Sequence, residues 1–172
     1  HTSIAFEVGR EMTLKSIECA SATTDKHVLI CTQKQTEKDE ISAEDIYAVG
    51  TVARIRQVAQ LPGGVIRVTC DGLYRARAKT IGVEDGHFYA VCTEIVARHG
   101  DETLEEAYFR TAKALVKDAF STDGKMTKET SAKLDRTDDA DEYIDMAAAI
   151  MRIKLDIKQQ LLEEADVIKR LR

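Results

Sequence analysis

Residues 46–77 read IYAVGTVARIRQVAQLPGGVIRVTCDGLYRAR, two alternating β-branched runs either side of one tight break, Leu61-Pro62-Gly63-Gly64. Period-two alternation around such a turn specifies a long β-hairpin. In the first arm Val49, Ala53, Ile55, Ala59 and Leu61 share one face, and Arg54 and Arg56 take the other. In the second arm Ile66, Val68, Cys70, Tyr74, Ala76 and Ala78 share a parity, opposite Arg67, Leu73, Arg75, Arg77 and Lys79. A bulge at Asp71-Gly72 would shift that register, because one extra residue turns over every side chain after it. The hairpin holds no phosphate loop and no metal-ligand cluster. It reads as a surface for presentation, so function here means binding rather than chemistry.

The chain changes style near residues 97–101. Before that point, residues 2–8 read as a strand closed by Gly9. Residues 10–22 form an amphipathic helix with Met12, Leu14, Ile17 and Ala20 alongside one another. A strand at 28–32, a polar loop at 33–40 and a short helical turn at 43–47, capped by Ser42, come next. Residues 82–86 make a further turn. Residues 87–96 form a strand whose Phe88, Tyr89, Val91 and Ile95 occupy both faces, which predicts cover on both sides. Short connections exclude a parallel sheet with crossover helices, so a small twisted sheet or partly closed barrel is expected.

After residue 101 the period is helical. Thr103-Leu-Glu-Glu106 is a capping-box pattern leading Leu104, Tyr108, Leu115 and Ala119 along one stripe, with Gly124 as the stop. Further helices are expected at 127–134, at 138–151, after a second capping pattern at 156–159, and at 167–172 behind Asp166. The fold class is therefore α+β, a β-rich unit at 1–97 followed by a helical bundle at 101–172. The start lacks Met and the final helix has no C-cap, which predicts a piece of a longer chain truncated in its last helix.

Composition narrows function. The formal net charge is −5 and the pI about 5.5, which argues against nucleic acid, where affinity comes from neutralising phosphates. No apolar run reaches the ~20 residues of a membrane helix. Cys19, Cys31, Cys70 and Cys92 form no CxxC pair and lie in apolar runs, so they are expected to be reduced and buried, as in a cytoplasmic protein. No Walker loop, GxSxG or HExxH occurs, and His1, His27, His87 and His99 lack partners at ligand spacing. Arg54, Arg56, Arg67, Arg75, Arg77 and Lys79 form a basic stripe that reads as the solvated face of the hairpin, without the interleaved aromatics of a single-strand binder. Leu73 is either an apolar residue on that charged face or, after a bulge, a core residue. In the first case it joins Leu61 and Pro62 in an exposed apolar patch.

The order VGTVARIRQVAQLPGGVIRVTCDGLYRARA strongly resembles the amino-terminal domain of bacterial Lon, the ATP-dependent protease. The likeness extends upstream through FEVGREMTLKSIECA and ICTQK. Downstream, DDADEYIDMAAAIMRIKLDIKQQLLEEADVIKRLR is similar to the segment that closes the family's amino-terminal region. The resemblance implies a PUA-like β subdomain joined to a helical bundle. It also implies a non-catalytic role, recognising unfolded or degron-bearing protein substrates and assisting assembly of the hexamer of a cytoplasmic AAA+ serine protease in stress response and protein quality control. The Walker loops and Ser-Lys dyad of that protease lie outside these residues. No catalytic residue, metal or cofactor is therefore expected here, with ATP and Mg only in the absent ATPase module. Leu61, Pro62, Leu73, Tyr74 and Arg75 are the candidate substrate-binding residues. The family's opening strand, with its Pro-Leu and Phe-Pro signature, is missing before His1, so one sheet edge is expected to lack a neighbour. Two alternatives stand beside this: an RNA-binding PUA-like domain, and a Lon-like receptor for a ubiquitin ligase, which would carry a CxxC-rich zinc module that this chain lacks.

Overall fold

A computed structural model describes residues 3–35, 37, 38, 40–123 and 127–172, with the backbone alone at 122 and 123. The chain divides into two compact units, His1–Ile95 and Val96–Arg172. The expectations that fall on Thr2 and Gly124 lie outside the described residues.

The first unit contains β1 (Ser3–Val8), α1 (Glu11–Ala22), β2 (His27–Ile30), β3 (Val49–Gln60), β4 (Ile66–Glu84) and β5 (His87–Glu94). All pairings are antiparallel, in the order β1-β4-β3-β2, with β5 also on β4. Strand β1 pairs with β4 from Ile66 to Asp71 and β5 pairs with it from Ala76 to Glu84, while β3 takes β4 from Ile66 to Arg77. Since β3 shares β4 residues with both, β1 and β5 lie end to end along the opposite edge. Beyond Arg77 the β4–β5 pair runs on as a two-stranded ribbon. The sheet is open rather than a closed barrel.

Three bulges coil it. Leu73 has no opposite residue between the pairs Ala53↔Gly72 and Val52↔Tyr74, and Arg56 is the extra residue between Ile55↔Cys70 and Gln57↔Thr69. Lys79 is the third. Each extra residue raises local twist. The turn expected over 82–86 is tighter: Gly82 to Glu84 belong to β4, and only Asp85-Gly86 turns, both at positive φ. That is the two-residue geometry for which Asp-Gly is suited. Ser42 caps its short 3-10 turn as expected, reciprocally with Asp45.

Val8, Ile17, Ala53, Ile55, Val68 and Cys70 form the buried core, with Phe6, Leu14 and Ile30 against it. Helix α1 thus covers one face of the sheet, and removing a side chain such as Ile17 from water contributes roughly 1.5–3 kcal/mol. Cys70 is buried, whereas Cys19 and Cys92 are exposed, a correction to the expectation that all four are core residues. Strand β5 is also corrected. Val91 is 54% exposed and Tyr89 42%, with Val83 on the neighbouring β4 also 54% exposed, because a two-stranded ribbon has no third strand beside it.

The second unit holds α2 (Glu102–Asp123), α3 (Lys128–Asp135), α4 (Ala140–Ile150), α5 (Leu155–Glu163) and α6 (Val167–Leu171). Phe109 joins its two apolar clusters, meeting Leu134, Tyr143 and Ala147 in one and Ala140, Ile144 and Val167 in the other. The Phe109 and Tyr143 rings pack edge to face at 5.3 Å. The stripe expected to face the core of α2 does not: Leu104 and Leu115 are exposed. The buried side carries Phe109, Val116 and Phe120, about 100° further round, one residue at 3.6 per turn. The α2 cap is Asp101, whose carboxylate accepts from Leu104 N–H at 2.9 Å, not Thr103. Helix α5 begins at Leu155 without a side-chain cap, leaving Asp156 inside its first turn. Asp166 caps α6 through Lys169 N–H. Arg170 is almost wholly buried and bridges Asp141 and Asp145, one turn apart on α4, while its Nε donates to Leu161 O at 2.9 Å.

Candidate functional site

Strand β2 pairs only with β3 and β5 only with β4, so the sheet ends in two open strand edges. Both border one groove of about 900 Å³ in the β-rich unit, within the ~300–1,000 Å³ typical of ligand sites. Thr13, Ile17 and Ala20 of α1 contribute to its lining, as do Ile81 of β4 and Phe88 and Ala90 of β5. All of residues 27–31 reach the groove. Side chains alternate along a strand, so an unbroken run means that the groove meets β2 along its edge rather than on one face.

The groove has no net formal charge. Glu7 and Arg10 are the formally charged residues that line it. The Glu7 carboxylate is engaged by Arg67 at 2.7 Å, and the Arg10 guanidinium donates to Gln33 Oε1 at 3.1 Å and Lys38 O at 3.3 Å. Burial pushes the Cys31 thiol up to about 11, with Cys92 adding to the rise, and burial raises Cys92 as well. His27 Nε2 is buried without a hydrogen-bond partner. A site of this kind offers apolar contact and strand-edge amides and carbonyls. It offers no acid–base pair.

The structure does not gather the candidate substrate-binding residues into one patch. Leu61 and Pro62 sit at the hairpin tip, whereas Tyr74 lies opposite Val52. From Val52 to Leu61 the strand runs on the order of 30 Å at ~3.3 Å per residue. Leu73 is the bulged residue and is half-buried, one position beyond the Asp71-Gly72 expected for the bulge. Its insertion disturbs the alternation only at the next two residues, after which Ala76 and Ala78 are buried and Arg77 is exposed, as expected. Tyr74, read on the apolar parity, is 40% exposed, and Arg75, read on the solvated stripe, is 5% exposed. Of the five, Tyr74 alone lines the groove. The basic stripe is further reduced by Asp71, which accepts from Arg56, and by Glu7, which holds Arg67. Asp71 is held below the usual carboxylate range by hydrogen bonds from Ser3 and Arg56.

The whole chain, residues 1–172, matches the family model for the ATP-dependent protease La (LON) substrate-binding domain. The chain belongs to the Lon substrate-binding domain family. It is 37% identical to Lon protease of Clostridioides difficile, over 96% of this chain and 22% of that protein. It is 34% identical to Lon protease of Escherichia coli K12, over 99% of this chain and again 22% of the relative. The chain thus spans about a fifth of the length of these relatives. Its fold is similar to the N-terminal domain of Mycobacterium avium complex Lon protease, with a TM-score of 0.79 at 20% identity over 99% of this chain and 86% of that one. It is also similar to a Lon N-terminal domain protein from Xanthomonas campestris, with a TM-score of 0.61 at 15% identity over the same shares.

In this Lon domain the groove escaped the sequence. The visible signal was β5, where Phe88, Tyr89 and Val91 occupy both parities. That pattern fits a strand covered on both sides and fits equally an exposed apolar ribbon. Gly82 was a second signal, because a Cβ there would stand 2.6 Å from the Tyr89 ring. The aromatic lies across the strand where no side chain competes. No described helix of the Lon domain is long and apolar enough to cross a membrane.

Proposed function

We propose that this domain holds unfolded or degron-bearing protein segments for a Lon-type ATP-dependent serine protease, and helps its subunits assemble into a hexamer, in the reducing cytoplasm that four free cysteines suit. One observation carries the reading: a concave surface of the β-rich unit is mostly apolar, open at two strand edges, and lined by one carboxylate and one guanidinium whose charges sum to zero. Hydrophobic burial is non-directional, so such a groove accepts many sequences. ATP, Mg and the proteolytic residues belong to modules outside this chain. Within the reading, Tyr74 is a groove contact, and Leu61, Pro62, Leu73 and Arg75 contribute only by way of the hairpin. The RNA-binding alternative keeps a weaker stripe, since Arg75 is buried and Arg56 and Arg67 face carboxylates, while Arg54, Arg77 and Lys79 stay exposed.

Titration of the chain against a reduced, unfolded apolar protein and against a single-stranded RNA tests this. Binding of the unfolded protein that persists at high salt supports the reading. RNA affinity that falls steeply with salt, with no protein binding, would replace it with the alternative.

A further inference from the structure

The two open edges point their backbone groups into the groove. Phe88 N–H donates not to β4 but to Ser16 Oγ on α1, at 3.0 Å. In an antiparallel strand, outward-facing groups recur at every second residue. Phe88, Ala90 and Cys92 therefore turn their amides and carbonyls away from β4, and all three line the groove. On β2, Lys26 O accepts from Ile55 N–H at 2.9 Å, so Lys26 faces β3, as do Val28 and Ile30 in turn. His27 and Leu29 then face outward, and both also line the groove. Among the described residues, His27, Leu29, Ala90 and Cys92 have no backbone hydrogen bond beyond their own ladders.

We propose that an extended, uncharged stretch of a client polypeptide enters this groove and adds as a strand to the open edges of β2 and β5. The proposal rests on the client-binding reading above and gives it a geometry. An extended backbone presents donors and acceptors alternately to its two sides, which matches what these edges offer and what a helix or a folded surface lacks. An uncharged occupant fits because the charged lining residues, Glu7 and Arg10, are one of each sign and Glu7 already faces Arg67, so the groove presents no net charge to pair with a charged segment. The hydroxyl of Ser16 shows the edge partly satisfied already, with α1 supplying an acceptor for one outward amide. Main-chain pairing makes affinity tolerant of sequence, while proline or a run of charge excludes a segment.

The test uses this chain and a ten-residue peptide of alternating valine and threonine, with a second peptide N-methylated at alternate residues. Strand addition predicts that the unmodified peptide slows amide exchange at Leu29 and Ala90. It also predicts that N-methylation weakens binding by about tenfold or more, the effect of losing one or two hydrogen bonds. Equal affinity for the two peptides would overturn strand addition and leave client binding intact. Slowed exchange at the same amides without peptide, growing with chain concentration, would also overturn it, because the occupant is then a second copy. If neither peptide nor any unfolded protein binds, the client-binding reading falls first.

Discussion

Strand β4 is one continuous strand with two different fates. From Ile66 to Arg77 it has β3 on one side and β1, then β5, on the other, and Val68, Cys70 and Ala76 are fully buried. Past Lys79 it has β5 alone, and Val83, Tyr89 and Val91 stand in solvent. The residue chemistry barely changes between the halves. What changes is the number of neighbouring strands, so the same alternation builds a core in one place and a presented surface in the other.

The framed half should break first. Ile55→Ala removes a core side chain next to Cys70 and is expected to cost about 2–5 kcal/mol by urea unfolding. A loss below about 1 kcal/mol would show that this half is not the frame. Gly50→Ala comes next. Its Cβ would lie 2.3 Å from Ile30 O and 2.7 Å from Cys31 Sγ, so β2 must retreat. A cost of about 1–3 kcal/mol is expected, with weakened client binding because β2 walls the groove.

The ribbon should behave in the opposite way. Tyr89→Ser is expected to lower stability by only about 0.2–1 kcal/mol, and to weaken binding of an unfolded client by about fivefold or more, about 1 kcal/mol. Tyr74→Ser should act similarly, while Leu61→Ser at the hairpin tip should leave affinity unchanged. Equal losses at the tip and the ribbon, measured by anisotropy, would erase the distinction. The last prediction concerns alkaline pH. Burial raises the Cys31 thiol from 9.0 to about 11, so the folded state favours its protonated form. The resulting stability is fully present below about pH 9 and is lost as pH rises through about 11. Cys31→Ala should flatten the alkaline limb of the stability profile between those values.

Much of the fold was legible because local rules and tertiary context agreed. The hairpin, α1 and the caps at Ser42 and Asp166 arise from alternation, helical period and side-chain oxygens. Tyr74 and Arg75 were misplaced for a physical reason: the bulge interrupts the alternation locally, and no residue type there fixes which position is extra, whereas Ala76 and Ala78 keep the buried parity that alternation gives. The stripe on α2 failed for a related reason. Both of its sides carry apolar residues, and only the partners of Phe109 on α4 decide which one turns inward. The groove was invisible because it is made of strand edges, whose exposure depends on which strands lack neighbours.

The central claim is that clients meet the groove between β2 and β5 rather than the hairpin tip. Hydrogen exchange of the chain with and without a reduced, unfolded client tests it most directly. Slowed exchange within His27–Ile30 and His87–Glu94, with residues 61–64 unchanged, is the predicted result. A footprint confined to residues 61–64, or lying wholly within Val96–Arg172, would contradict it.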